Sequence, residues 1–215
     1  MSSPRWPVVV FDLDGTVVNT IPLIIASYEH AMLQVLGERP TPAEARSWIG
    51  QTLYGTFGTR HPEHAQKLVD TYVAWNAEHL AELLEEFPGT PGLLDALRSA
   101  GVLVGVATSK RRTSAENTLL HAGLADRLSV TVAMEDTDVH KPEPEPLLLA
   151  VRRLGGSPER AAYVGDAVVD VLAAKAAGMA SIAVSWGAAA RADLEATGPD
   201  VLVDSVAELQ AVLLP

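Results

Sequence analysis

Five short apolar runs, each stopping abruptly at polar or small residues, constrain this chain more than any other feature. They are VVVF at 8–11 before Asp12, VLVGVA at 102–107 before Thr108, and SVTVAM at 129–134 before Glu135 and Asp136. AAYVG at 161–165 precedes Asp166, and SIAVSW at 181–186 precedes Gly187. Runs without polar alternation read as strands covered on both faces, as in parallel sheets. Helical patterns separate them. Thr90-Pro91 supplies a cap and an N1 proline for a helix that Gly101 closes. Pro142 opens another, with Leu147, Leu148, Val151 and Leu154 on one side, and a third runs from about Val171 to Ala177 before Gly178. Strands alternating with helices predict an α/β chain whose parallel sheet carries helices on both faces. Ligands of such sheets bind outside the carboxyl ends of the strands.

Residues 17–87 break the alternation, since a loop from strand to helix is normally about two to six residues. They read as helices. Thr20, with Pro22 in the first turn, caps a segment carrying Leu23, Ile24, Ser27, Ala31, Leu33 and Leu36. Thr41-Pro42-Ala43-Glu44 has capping-box spacing. Pro62 opens a periodic stretch through Leu68, Val69, Tyr72, Val73, Leu80, Leu83 and Leu84, and Phe87 to Pro91 reads as a return linker. The expected organisation is a core domain of residues 1–16 and 88–215 with a helical cap domain, 17–87, inserted after the first strand. No internal repeat is visible.

The chain has 215 residues, 48% of them hydrophobic, and a net charge of −11, which excludes nucleic acid as a natural partner because such binding is driven by Lys and Arg. A small phosphate can still bind if a cation inverts the local field. With no cysteine there are no disulfides and no thiolate chemistry. The start MSSPRWP lacks a charged segment leading into an apolar one, and no apolar run is long enough to span a bilayer. A cytoplasmic protein without membrane association is expected, and a monomer, since nothing reads as a coiled coil.

Carboxylates gather at the strand ends. Asp12 and Asp14, two apart on an extended chain, share a side. Thr108 and Asp166 each follow an apolar run, Lys141 lies in the proline-stiffened loop EDTDVHKPEPEP, and Asp170 is one helical turn beyond Asp166. Two carboxylates about 5 Å apart repel by roughly 3 kcal/mol at an effective dielectric of 20. One lysine cannot offset four, and an all-oxygen acidic cluster suits Mg2+. Each residue alone has a plainer reading: Asp14-Gly15-Thr16 as a turn, Thr108-Ser109 as a helix cap, Lys141 as a solvated side chain. Asp166 and Asp170 would then be an N-cap and a first-turn acid. Their order at successive strand ends favours one shared site. The histidines show no ligand spacing, and Trp48 and Trp75 read as packing residues.

In these motifs the chain resembles the phosphatase branch of the haloacid dehalogenase superfamily: Asp12-Leu13-Asp14-Gly15-Thr16, Thr108-Ser109-Lys110, His140-Lys141-Pro142 and Gly165-Asp166 through Asp170. It is similar to phosphoglycolate phosphatases and to a pyrophosphatase that splits inorganic diphosphate. The second likeness rests on Asn19-Thr20, Ile24-Ile25, Ile49-Gly50 and Val184-Ser185-Trp186 with Arg191, Leu194, Glu195 and Pro199-Asp200. Ala167 departs from the polar residue usual after Asp166. The resemblance implies a Rossmann-like core with a helical cap, and Mg2+-dependent hydrolysis of a small phosphorylated substrate through an aspartyl phosphate. It implies Asp12 as nucleophile, Asp14 as acid and base, and Thr108 and Lys141 at the phosphoryl oxygens. Thr16, Asn19, Ser109 and Lys110 are implied to contact substrate. Asp12, Asp14 through its main-chain carbonyl, Asp166 and Asp170 would hold the metal, Asp170 either through water or by orienting the others. A phosphosugar mutase of the same superfamily and a receiver-type phosphoacceptor module are the alternatives.

Overall fold

A computed structural model of the chain describes residues 4–215, so the first three residues of the stretch read for a leader lie outside it. The strands are Val8–Phe11 (β1), Val18–Asn19 (β2), Glu85–Glu86 (β3), Leu103–Ala107 (β4), Val130–Val132 (β5), Ala161–Gly165 (β6), Ala180–Val184 (β7) and Val201–Val203 (β8). Six of them form one sheet in the order β5-β4-β1-β6-β7-β8, and every neighbouring pair is parallel. β1 lies inside it, with Val8 paired to Leu103 on one side and to Ala161 on the other.

All four β1 side chains are buried, and they feed two different layers. Val9 and Phe11 pack with Leu93 and Leu97, Leu119, and Leu209 and Leu213. Val8 and Val10 pack with Leu147 and Val151, and with Ala173 and Ala174. The first face is therefore covered by helices at Thr90–Ser99, Arg112–His121 and Val206–Leu213, the second by helices at Glu145–Arg153 and Val168–Ala176. The expected doubly covered α/β sheet is what forms.

Several local expectations need correction. β8 adds a sixth strand that three apolar residues were too few to announce. The 129–134 run stops being a strand at Val132, because Met134–Asp136 turns into a 3-10 helix. Gly89, with φ of 96°, occupies the cap position expected of Thr90. Pro142 lies three residues before its helix begins at Glu145, and the helix expected from Val171 starts at Val168.

Between β2 and β3 run four helices: Ile21–Leu36 (α1), Pro42–Ser47 (α2), Leu53–Arg60 (α3) and Ala65–Leu83 (α4). The capping box at Thr41 forms: Glu44 N donates to the Thr41 hydroxyl at 3.2 Å, and Thr41 N donates to the Glu44 carboxylate at 2.8 Å. These helices have their own apolar centre, where the Tyr28 ring meets Trp48, Phe57 and Tyr72 edge-on at 5.0, 5.4 and 4.9 Å. The chain enters and leaves them side by side, because β2 and β3 pair antiparallel, Val18 with Glu86 and Asn19 with Glu85. No helix among the described residues is long and apolar enough to cross a membrane.

Phe57 is fully buried in this second centre. Phe57→Ala is expected to lower stability by roughly 3–5 kcal/mol, read from urea or guanidinium unfolding.

Candidate active site

The carboxyl ends of β1, β4 and β6 meet where the strand order changes direction, and the loop after β5 closes over them. Each strand is apolar until its last residue reaches this rim, so Asp12, Thr108 and Asp166 are delivered to one place. The loop brings Lys141, and the first turn of the helix after β6 (α8 in chain order) brings Asp170. All five are buried.

Lys141 sits between two carboxylates. Its ammonium donates to Asp12 Oδ1 at 3.0 Å, to Asp170 Oδ1 at 2.6 Å and to the Tyr163 hydroxyl at 3.0 Å. That hydroxyl in turn donates to the Ala107 carbonyl at 2.9 Å. Asp166 is fixed differently: Oδ1 accepts the Thr16 hydroxyl at 2.7 Å, and Oδ2 accepts Ala188 N–H at 2.6 Å. Asp170 Oδ2 accepts Ala167 N–H at 3.0 Å, tying the carboxylate to its own helix start. Backbone crowds Asp166. A Cβ on Gly15, where φ is 80°, would lie 2.3 Å from Asp166 Oδ2, and one on Gly187 would lie 2.1 Å from Asp166 Cβ. Glycine is what lets these loops approach so closely.

Carboxylate oxygens of Asp12, Asp166 and Asp170 all lie within 4.8 Å of one another. Burial pushes Asp12 well above the ordinary carboxylate range although Lys141 pulls the other way. Burial, reinforced by Asp170, pushes Asp166 up to about 7 against the donors Ala188 N–H and Thr16 hydroxyl. Burial also works against the Lys141 charge, but Asp12 and Asp170 hold it well above its usual value. One ammonium thus leaves three buried carboxylates short of positive charge. An oxygen-only, buried donor set of this kind fits a hard divalent cation.

Asp14 faces the same cavity as Asp12 but stands outside that trio. Its Oδ1 accepts Lys110 Nζ at 2.7 Å and the Thr20 hydroxyl at 2.6 Å. Asp14 thus shares the cavity while its carboxylate stays outside the trio, and one expectation changes: Thr20 spends its hydroxyl here instead of capping α1. Thr108 lines the cavity, its hydroxyl accepting Lys110 N–H at 3.2 Å. Ser109 also lines it, but its hydroxyl donates to Gly50 O of the helical insert at 2.8 Å. Thr16 and Asn19 do not line it. The Thr16 hydroxyl is taken by Asp166, and the Asn19 amide donates to Glu85 at 2.6 Å across β2 and β3. Ala167 adjoins the insert, since a Cβ on Gly50 would come 3.1 Å from its methyl.

The cavity, about 740 Å3 including its open mouth, is roofed by the insert through Ile24, Tyr28, Trp48, Ile49, Leu53 and Tyr72 among others. Trp48 therefore both packs and lines, beyond the packing role expected of it. Sequence reasoning missed Tyr163. Its only signal was a hydroxyl inside an otherwise aliphatic strand, where a buried phenol must find partners. It also missed Arg111, which lines the cavity mouth.

Comparison with known proteins agrees with this arrangement. A family model described as haloacid dehalogenase-like hydrolase matches residues 9–184. The chain is 35% identical over 205 residues to the pyrophosphatase PpaX of Bacillus cereus, covering 95% of each chain. A predicted phosphoglycolate phosphatase from Haemophilus somnus superposes with a TM-score of 0.85 at 22% identity, covering 97% of this chain and 98% of that one. A β-phosphoglucomutase from Clostridium difficile superposes at 0.82 with 19% identity, covering 95% and 93%, so the fold alone does not separate hydrolase from mutase.

A divalent cation must displace the Asp166 proton to use that carboxylate. Apparent affinity for a divalent cation, measured by calorimetry, is expected to fall as pH drops below about 7, where Asp166 takes up a proton. Gly187→Ala, which drives a methyl into Asp166, is expected to abolish that binding.

Proposed function

The chain is a member of the haloacid dehalogenase-like hydrolase family and a phosphatase-type enzyme, and from that premise we propose that it hydrolyses small phosphate compounds through an aspartyl phosphate on Asp12, with Mg2+ held by Asp12, Asp166 and the Asp14 main chain and Asp170 acting through water or by orienting the others. The observation that carries this reading is Asp12 itself. It is a buried carboxylate at the cavity floor, pinned through Oδ1 by Lys141, with Asp14 facing the same cavity two residues on. The metal, when bound, screens the negative nucleophile from the negative phosphoryl group and stabilises its charge.

The residues of the chain do the rest. Asp12 forms a bond to phosphorus from the side opposite the leaving oxygen, and the bond from phosphorus to that oxygen breaks. Asp14, protonated at this point, gives its proton to the departing oxygen. A water then adds to the phosphoryl group of the aspartyl phosphate, its proton passing to the Asp14 carboxylate, and phosphate leaves with Asp12 regenerated. Lys141 keeps Asp12 in one orientation and sets positive charge beside it. Thr108 contributes its hydroxyl at the cavity wall. Residues 17–87 act as a cap that keeps bulk water from the intermediate and meets the leaving group, over a core of 1–16 and 88–215.

Inorganic diphosphate, after the PpaX relative, and phosphoglycolate-like monoesters are the substrates we favour. A phosphosugar mutase would have to hold a second phosphate against the cap while the intermediate waits. The insert residues that line the cavity include no Lys, Arg or His. A receiver-type module does not account for four inserted helices.

Phosphate release from diphosphate or phosphoglycolate is expected to require Mg2+, to stop with EDTA, and to fall by several orders of magnitude in Asp12→Asn. Asp14→Asn is expected to lose roughly a hundredfold to ten-thousandfold, and much less with p-nitrophenyl phosphate, whose leaving group needs no proton. A steady-state phosphate assay on the purified variants checks each outcome.

A further inference from the structure

Positive charge in the cavity lies entirely on the core side. Lys141 is committed to Asp12 and Asp170, and Lys110 to Asp14. Arg111 is the next residue after Lys110. It is half-buried, it lines the cavity, and it makes no salt bridge among the described residues. Its guanidinium lies 5.6 Å from the centre of the Tyr54 ring and donates to the Tyr54 hydroxyl at 3.3 Å. That hydroxyl is already donating to Gln66 at 2.8 Å. Arg112, by contrast, is spent on Asp136 and Glu116.

The position of Asp14 locates the leaving half of a bound substrate. An acid that protonates the departing oxygen must touch it, and Lys110 touches that acid at 2.7 Å. The leaving half therefore lies beside Lys110, with Arg111 next along the wall. The insert lines the rest of the cavity with Ile24, Ile49, Leu53 and Val69 and with the neutral polar groups of Gln51, Tyr54 and Asn76, and brings no cation. An anionic group buried against such a wall is costly unless a cation takes it. A guanidinium presents its donors as a planar fork that matches phosphate or carboxylate oxygens.

Resting on the hydrolase reading, we propose that Arg111, next to Lys110, forms a second anion subsite that receives the leaving half of the substrate. The enzyme then selects phosphate compounds whose leaving group carries its own negative charge: a second phosphoryl group or a carboxylate. On binding, the guanidinium exchanges the Tyr54 hydroxyl for these oxygens. The uncharged cap wall sets the size of the leaving group, and the core supplies its counter-charge.

The test compares kcat/KM for diphosphate, phosphoglycolate and phenyl phosphate, whose leaving group is neutral and apolar, in the wild type, Arg111→Ala and Arg111→Lys. Arg111→Ala is expected to lower the two anionic leaving-group substrates by about tenfold to a hundredfold relative to phenyl phosphate, and Arg111→Lys to recover part of that ratio. Calorimetry in an Asp12→Asn background adds a readout without turnover: Arg111→Ala should weaken diphosphate binding at least tenfold and phosphate binding much less. Equal losses on all three substrates, or no loss on any, would overturn the subsite. So would a wild-type preference for phenyl phosphate that Arg111→Ala leaves intact. No phosphate release from any of the three would instead sink the hydrolase reading, while the binding measurement would still decide the role of Arg111.

Discussion

A shortage of positive charge around Asp12, Asp166 and Asp170 governs this molecule. Three buried carboxylates have oxygens within 4.8 Å of one another, close enough to share one ion, and Lys141 reaches only two of them. Such a cluster survives folding because almost every other oxygen is answered by a donor: Thr16 and Ala188 N–H at Asp166, and Ala167 N–H at Asp170. Gly15 and Gly187 let backbone press against Asp166 from two sides. The negative charge that these donors leave unanswered suits a hard cation.

The sheet makes this concentration of charge possible. Because β1 is flanked on both sides by parallel strands, three strand ends converge without any long loop. The helical insert then meets the rim at several points. Ser109 donates to Gly50 O, and Arg46 donates to the carbonyls of Gly187 and Ala188 at 3.1 and 3.4 Å. The same short segment at 187–188 thus holds Asp166 with one side of its backbone and the insert with the other. Seating of the insert and aim of the carboxylate share a single piece of chain.

What sequence reading reveals here follows from how local the cause is. A strand covered on both faces must be apolar throughout, so β1, β4, β6 and β7 stand out, and so do the polar residues that end them. Asp12, Thr108 and Asp166 were legible for that reason, Lys141 from its proline-stiffened loop and Asp170 from its one-turn spacing to Asp166. β8 was not, since three residues carry no period. Thr16 and Asn19 were implied by the family resemblance to contact substrate, and their hydrogen-bond partners lie 150 and 66 residues away, a distance that no local pattern encodes. Tyr163 hid among aliphatic neighbours, and the N–H of Ala188 is invisible in any side-chain reading. Arg111 sat in a run of three basic residues that looks like an ordinary wet surface until the fold turns its middle member toward the cavity.

The paired strands β2 and β3 bring the two ends of the insert side by side. A different helical module grafted between positions 19 and 85 would have to replace the Thr20 hydroxyl on Asp14, the Arg46 hold on Gly187 and Ala188, and the Gly50 carbonyl that takes Ser109. Offspring of such an exchange would keep the acidic strand ends in place only where those holds were rebuilt, while the shape of molecule admitted would be free to drift.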